Sequence, residues 1–518
     1  MNGAESLLTS LLHNDVNVCF ANPGTSEMHF VAALDRVSGM RCVLGLFEGV
    51  VTGAADGYAR MLDRPAVTLL HLGPGLANGL SNLHNALRAQ SPVVNVIGDH
   101  ATFHRQLDAP LTSDIEGTAR PFSHWVRTSA NANSLAADAA AAVAAARSAP
   151  GKIASLILPA DAAWNEVSVT QPAVASAALV SPPARPDDAA IDAAAEILKS
   201  DATSALILAG RATRQAPLEF AGMISAATGA QLYSQTLTPR IERGAGRVAV
   251  ERIPYPIEQA VDLLKDVDNI ILVGAKAPVG FFAYPGKPGT LFRPGTRIHE
   301  LVSVDGDIPY ALEALADAVG AKRFAPAKAD LDLPARPTGS ISPEKIGQLL
   351  AATLPTDAIV VDESITTGRS FHSATRSSRP HDWLLPTGGS IGFALPVATG
   401  AAIACADRKV VCLEGDGSGM YMPQALWTQA REGLNILTIV FANRKYQILR
   451  NEMHNVGATE IGPKASRLLD IDDPEIDWVS LATTFGVDAQ RVDTMDSFSS
   501  ALDAGFATQG PYLIEVAF

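Results

Sequence analysis

The stretch Val410-Val411-Cys412-Leu413-Glu414-Gly415-Asp416-Gly417-Ser418 reads as a buried strand ending in a glycine-flanked aspartate. Glycines at such a turn let the backbone approach a phosphate, and a carboxylate beside them can hold Mg²⁺ against it. Taken alone, Gly-Asp-Gly is an ordinary turn. The next apolar run, Asn435 to Phe441, ends at Ala442-Asn443, and 443 − 416 = 27 residues leave room for one helix and one strand. Adjacent parallel strands would present Asp416 and Asn443 at one sheet edge. Diphosphate oxygens would complete a Mg²⁺ octahedron there.

The same alternation of apolar runs and Ala-rich segments fills the chain. Strands are expected at Val16–Ala21, Cys42–Leu46, Ala66–Leu72, Val93–Ile97 and Ile153–Leu158, with helices over Gly49–Met61 and Leu76–Ala89. Later runs are Ala205–Ala209, Ile270–Val273, Ala358–Val361 and Leu437–Phe441, and Tyr512–Phe518 closes the chain. Strands spaced by helices predict an α/β protein of doubly wound parallel sheets, with ligands beyond the carboxyl ends of the strands. At 518 residues the chain exceeds a single core, and about three domains are expected. Two Pro-rich stretches, Thr170 to Asp188 and Lys322 to Ser342, read as connectors. They divide the chain into domains 1–170, 188–322 and 342–518.

Composition narrows the function. A net charge of -14 argues against a nucleic-acid partner. No uncharged run of about 18 apolar residues predicts a membrane span, and Met1-Asn2-Gly3-Ala4-Glu5 lacks a basic n-region. Cys19, Cys42, Cys405 and Cys412 show no metal-ligand spacing, and three sit in apolar runs as expected buried free thiols. A reduced, cytoplasmic protein is expected.

The Asp416…Asn443 pair resembles the signature of thiamine-diphosphate enzymes, with benzoylformate decarboxylase and the acetolactate synthase large subunit most similar by motif. The resemblance covers nearly the whole chain, as pyrimidine-binding, central and diphosphate-binding domains. Ala442 replaces the usual first asparagine. The resemblance implies Mg²⁺ on Asp416, Asn443 and the carbonyl of Lys445, with Gly415, Gly417, Ser418, Thr366 and Tyr446 around the diphosphate. Glu48, followed by Ala55-Asp56-Gly57-Tyr58-Ala59-Arg60, matches the activating glutamate that bonds the cofactor's pyrimidine. As a simpler role it would stabilise a helix N-terminus. Thr387-Gly388-Gly389-Ser390-Ile391 is similar to the clamp in which the Gly389 carbonyl meets the 4′-amine and Ile391 props the bent cofactor.

For the substrate, Asn22-Pro23-Gly24-Thr25-Ser26-Glu27 and Leu70-His71 resemble active-site segments of benzoylformate decarboxylase. They imply that Thr25 meets the substrate carboxylate and that His71 carries protons. Phe281, Phe282, Ile448 and Leu449 would line a moderately apolar pocket. The departures are a missing acid six residues after Asn443, where Leu449 stands, and no histidine in Ala277 to Tyr284. His100 and His104 are not an adjacent pair in sequence.

The implied reaction is decarboxylation of a small 2-oxo acid through a C2 ylide and an enamine. Fewer proton donors lean toward acetolactate-type carboligation, while the chain's end at Phe518 leaves no long C-terminal cover of that kind. A 2-hydroxyacyl-CoA lyase and a non-catalytic relative are further alternatives. FAD or ADP in the central domain stays open, and Gly210 to Arg214 reads first as a capped helix start. At least a homodimer is expected, with a homotetramer the fuller form, so that Glu48 of one subunit meets Asp416 of another.

Overall fold

The computed structural model describes residues 1–518, which three sheets organise. The first contains β1 (Val18–Ala21), β2 (Arg41–Leu44), β3 (Ala66–Leu70), β4 (Val93–Asp99), β5 (Trp125–Thr128) and β6 (Ile153–Pro159). All are parallel, in the order β2-β1-β3-β4-β6-β5. β3, β4 and β6 are buried throughout and mostly apolar on both faces because helices cover both, with Thr68, Asn95 and Ser155 hydrogen-bonded to one another across them. Met1 to Glu5 open the first helix, Gly3–His13: Asn2 accepts from the Glu5 N–H at 2.9 Å and its own N–H meets the Glu5 carboxylate at 3.1 Å.

The middle third contributes β7 (Ser204–Leu208), β8 (Gln231–Ser234), β9 (Ile241–Arg243), β10 (Glu251–Arg252), β11 (Asn269–Val273) and β12 (Arg297–Val302). Five of them form a parallel sheet, β10-β8-β7-β11-β12. The last third contributes β13 (Ala358–Glu363), β14 (His381–Leu384), β15 (Val410–Gly415), β16 (Ile436–Ala442), β17 (Asp488–Val492) and β18 (Tyr512–Ala517). Their sheet runs β17-β18-β16-β15-β13-β14-β9, so β9 leaves the middle segment and adds an antiparallel edge. That strand departs from the expected purely parallel sheets. Two arginines explain the choice: Arg240, just before the strand, meets Asp382 through Nε at 2.6 Å, and Arg243, its last residue, donates to Thr375 Oγ1 at 2.6 Å and to the His372 carbonyl. Three residues are too few to show a strand period in sequence.

Neither helix nor strand lies between Trp164 and Asp188 or between Arg323 and Pro343, where connectors were expected. The first is strapped down, with the Ala173 and Ala175 carbonyls accepting from Ser6 and Asn14. The helix expected from Leu76 starts at Leu72 instead. Gly73-Pro74-Gly75 reads as a turn, but proline in a first turn removes a donor that has no helical partner anyway. Cys19 and Cys412 are buried, Cys405 partly so, and Cys42 is exposed opposite Cys19. No helix is long and apolar enough to cross a membrane.

The first and last units meet where helix Glu48–Leu62 crosses helix Ala394–Ala404. A Cβ on Gly57 would stand 2.1 Å from the Val397 carbonyl oxygen, and one on Gly400 1.8 Å from that of Ala54. Only glycines allow this approach of backbone to backbone. Val50, Ala54, Tyr58, Val397 and Ala401 close one apolar core around it. Arg60 then ties the segments together: it pairs with Asp56 through two bonds at 2.7 and 2.8 Å and donates to the carbonyls of Leu385 and Pro239.

Gly400→Ala should therefore destabilise the protein by about 1–3 kcal/mol, despite the roughly 1 kcal/mol that alanine gains as a helix former. Urea unfolding checks this, and an unchanged midpoint would mean that the crossing has slack.

Candidate active site

In the first sheet β2, β1 and β3 are neighbours, and the loop after each carries an expected residue: Glu48, Thr25 and His71. Glu48 is the first residue of its helix and 7% exposed. Its Oε2 accepts from Asn78 at 3.0 Å, while its Oε1 has no partner and lies 2.9 Å from where a Gly75 Cβ would stand. The same point is 3.3 Å from His71 Cβ, so Glu48 and His71 share the opening at Gly75. His71 Nδ1 meets Glu27 Oε2 at 2.8 Å. Glu27 is fully buried and also accepts from the Gly24 N–H at 2.7 Å and Ser26 Oγ at 2.6 Å. Gly98, at the end of β4, leaves it room, since a Cβ there would fall 1.5 Å from Glu27 Oε1.

Glu27 was not singled out from the sequence. Its signal is an acid that closes a strand-end loop beside another strand ending in histidine. Thr25 is exposed and makes no side-chain hydrogen bond in the chain. His100 and His104, four residues apart, follow β4 and come together with ring centroids 5.5 Å apart. They form a pair in space, although not in sequence.

In the third sheet β16, β15 and β13 are neighbours. Gly415 stands opposite Phe441, which brings Asp416 and Asn443 to one edge, as the spacing predicts. Asp416 is 4% exposed. Burial pushes its carboxyl up to about 6, against the pull of N–H groups from Arg444 and Gly417 at 2.6 and 2.9 Å. Asn443 Oδ1 accepts from the Lys445 N–H at 3.1 Å, and the Lys445 carbonyl accepts from that of Gln447 at 3.0 Å. Each ligand oxygen keeps a lone pair. This donor set, all oxygen with one buried carboxylate, suits Mg²⁺.

Gly417 lies under the Tyr446 ring, 2.5 Å from a would-be Cβ, so side-chain bulk is excluded where a diphosphate would approach. A Cβ on Gly415 would stand 3.0 Å from Ser418 Oγ and 3.8 Å from the Glu363 carbonyl oxygen. Ser418 differs from expectation in one respect: its hydroxyl donates to buried Glu414 at 2.5 Å, which leaves its N–H for a diphosphate. Glu414 stands directly opposite Glu363 on β13, and each keeps one buried oxygen without a partner. Glu363 accepts from the N–H groups of Phe393 and Ala394, and burial pushes it up to about 8.

Backbone strain marks the same edges. Leu72, Ile365 and Arg444 have φ of 50, 48 and 57°. They adjoin His71, Thr366 and Asn443 in turn. Bulky residues at positive φ are costly and persist where surrounding structure holds them, as at functional sites.

Gly389 has φ 71°, and Phe281 Cζ lies 2.5 Å from where its Cβ would be. The clamp is held from the first unit. Asn85 bonds both the N–H and the carbonyl of Ser390, at 3.2 and 2.8 Å, and Asn82 reaches the Gly392 carbonyl at 3.5 Å. Ile391 sits between these anchors. Phe281 packs edge-on against Phe282 at 5.0 Å. Helix Gln447–Asn455 carries Ile448 and Leu449. A cavity of about 390 Å³ lies beside these segments, lined by residues that include Tyr255, Tyr284, Lys287, Arg369, Gln447 and Arg450, and none of Phe281, Phe282, Ile448 and Leu449 lines it. In the middle sheet, strand order reverses between β7 and β11, where α/β folds bind nucleotides. At the ends of those strands Ile308 Cδ1 lies 2.4 Å from where a Gly274 Cβ would stand and 4.0 Å from where a Gly210 Cβ would stand.

Within the chain no hydrogen bond links the Glu48 group to the Asp416 group. A model of the N-terminal TPP-binding domain of thiamine pyrophosphate enzymes matches residues 1–118, and one of the C-terminal TPP-binding domain matches residues 366–516. The chain is 49% identical over 520 residues to a Mycobacterium tuberculosis protein bearing the provisional name acetolactate synthase large subunit IlvX, covering 100% of this chain and 99% of that protein. It is 29% identical over 526 residues to benzoylformate decarboxylase of Pseudomonas aeruginosa, with 98% and 97% covered. The solved thiamine diphosphate-dependent 4-hydroxybenzoylformate decarboxylase of Rhodococcus jostii RHA1 superposes with a TM-score of 0.85 at 25% identity, covering 100% and 99%.

The raised Asp416 carboxyl sets a pH dependence. Folded, it keeps its proton to about pH 6 rather than 3.8, so the metal-free protein loses stability as pH rises between those values. A cation there must displace the proton below about pH 6. Apparent Mg²⁺ affinity, measured by calorimetry, should fall about tenfold per unit below that pH and level off above it. A flat profile from pH 5 to 7 would remove Asp416 from the ligand set.

Proposed function

Because the chain belongs to the thiamine pyrophosphate enzymes, we propose that it decarboxylates a small 2-oxo acid with thiamine diphosphate and Mg²⁺ as cofactors. The observation that carries this reading is the His71–Glu27 pair beside Glu48, a proton carrier held at the opening the activating carboxylate shares. When bound, thiamine diphosphate supplies a carbanion that adds to the 2-oxo carbon and accepts the electron pair left as CO₂ departs.

The chain's residues do the rest. Glu48 would hold the pyrimidine nitrogen through Oε1, its oxygen without a partner. Asp416, Asn443 and the Lys445 carbonyl would hold Mg²⁺, with diphosphate beside Gly417 and on the Ser418 N–H and Thr366. The Gly389 carbonyl and Ile391 would fix the cofactor's bend. Glu27, which also accepts from the Gly24 N–H and the Ser26 hydroxyl, makes Nδ1 the N–H side of His71. Nε2 is then left to hold a proton and deliver it to the carbon that lost CO₂, which releases an aldehyde. Thr25, exposed at the adjoining loop, would receive the substrate carboxylate.

A second reading, joining two 2-oxo acid units, is favoured by the 49% identity to the protein named for acetolactate synthase. Leu449, where an acid would donate, offers no proton to compete with a second carbonyl. Pairing of two chains is supported by exposed apolar side chains beside both edges: Met28 and Leu46 near Glu48, Met420 and Tyr421 near Ser418.

Incubation with both cofactors and a panel of 2-oxo acids, read by NMR, should yield an aldehyde. Glu48→Gln and Glu27→Gln should each lose about 10² or more in kcat. Accumulation of a 2-hydroxyketone instead would favour the second reading, and no turnover of any 2-oxo acid would overturn both. Pairing has its own test, refolding inactive Glu48→Gln and Asp416→Ala chains together. Random pairing should restore about a quarter of the sites, because half the dimers then carry one intact pair. No recovery would place Glu48 and Asp416 of one chain in the same site.

A further inference from the structure

We propose that Cys19 and Cys42 are a modification site: peroxide closes these two thiols to a disulfide, and the closed form is the slower enzyme. The effect on turnover rests on the functional reading above, whereas the bond itself does not. Cys19 lies on β1 and Cys42 on β2, directly opposite each other in a parallel pair. Residues in register on neighbouring strands point to one face, and the strands run about 4.8 Å apart. That spacing falls inside the about 4.4–6.8 Å that a disulfide asks of its Cα atoms. Both thiols are free, Cys19 buried and Cys42 exposed at the sheet edge. The pair thus offers one sulfur to an oxidant in solvent and a shielded second one to resolve it. The interaction between the two thiols pulls Cys42 below the usual thiol range and, with burial, pushes Cys19 above it. Cys42 therefore attacks first.

The Cys42 thiolate displaces hydroxide from peroxide: an S–O bond forms, the O–O bond breaks, and the sulfur becomes a sulfenic acid. The Cys19 sulfur then displaces the second hydroxide, forming S–S and breaking S–O. The two thiol protons leave with the hydroxides as water, and the peroxide gains the two electrons that the thiols lose. Where glutathione keeps thiols reduced, such a bond forms transiently and reverts. A disulfide also holds its Cβ atoms about 3.8 Å apart, so β2 must close on β1 by about 1 Å there. β2 is a four-residue edge strand paired only with β1, and it can follow. Only Gly45, Leu46 and Phe47 separate its end from Glu48, and Asn22 Nδ2 ties the Gly45 carbonyl to the end of β1 at 2.7 Å. The shift reaches Glu48 with little slack, and the segment that the bond closes contains Thr25 and Glu27. A misplacement of about 1 Å costs up to about a hundredfold in rate.

The test treats the full chain with hydrogen peroxide, alkylates the remaining thiols, digests with trypsin and reads the fragments by mass spectrometry. Residues 1–36 should appear joined to residues 42–60, lighter by two hydrogens, and should part again in dithiothreitol. With that bond kcat should fall at least about tenfold, and dithiothreitol should restore it. Cys42→Ser, an exposed change that leaves the core intact, should keep its kcat through the same treatment, and Cys405→Ser should still lose it. A Cys42 that passes unpaired to sulfinic acid, or that joins two chains, overturns the proposal. Full kcat in the cross-linked wild type, or an equal loss in Cys42→Ser, also overturns it. If no 2-oxo acid turns over, the functional reading fails separately, and amide exchange over residues 44–49 decides instead. A change of at least about threefold on closing the bond upholds the proposal, and no change overturns it.

Discussion

Two helices touch backbone to backbone at Gly57 and Gly400, and nearly everything in the candidate site is placed relative to that contact. The helix with Gly57 begins at Glu48. The helix with Gly400 begins just after the Gly389–Ile391 clamp, and its first N–H groups are taken by Glu363. Closing the two helices to this distance brings Asn82 and Asn85, on the helix packed beside Glu48–Leu62, within reach of the clamp's peptide groups. Arg60, buried at the crossing, spends its donors on three separate chain segments. A motif that reads as a functional fingerprint, Ala-Asp-Gly-Tyr-Ala-Arg, thus acts here as the joint that fixes the cofactor's surroundings.

Much of this was legible in the sequence because the signals were local. β15 and β16 are continuous apolar runs that end in Asp416 and Asn443, and their pairing places both at one edge as the 27-residue spacing implies. Glu48 opens a helix whose start is marked by the change from strand to helical period. What escaped depends on contacts between distant segments. Glu27 matters only because β1 and β3 are neighbours and Gly98 leaves it space. Asn82 and Asn85 look like helix-surface residues until another unit covers them. His100 and His104 become a pair only through the turn between them.

The floor of the third sheet carries a cost that the sequence shows only as two acids ending two strands. Glu363 and Glu414 face each other with almost no solvent, and desolvation raises both carboxyls. Two adjacent buried negative charges are disfavoured, so the pair keeps a proton near neutral pH. Leu72, Ile365 and Arg444 add backbone strain at the neighbouring loops. Such terms subtract from stability, and the apolar core around the helix crossing offsets them.

β9 bears on how this chain can be rebuilt. Residues Ile241–Arg243 belong to the middle of the sequence but complete the edge of the last sheet, anchored through Arg240 to Asp382. A chimera that exchanged the middle segment at its two connectors would remove that edge strand and leave the Asp382 carboxylate with one arginine fewer. Recombination between relatives is thus constrained to cut points that keep Arg240 to Arg243 together with His381 to Leu384. In hereditary terms the chain has two linkers but not three freely exchangeable modules.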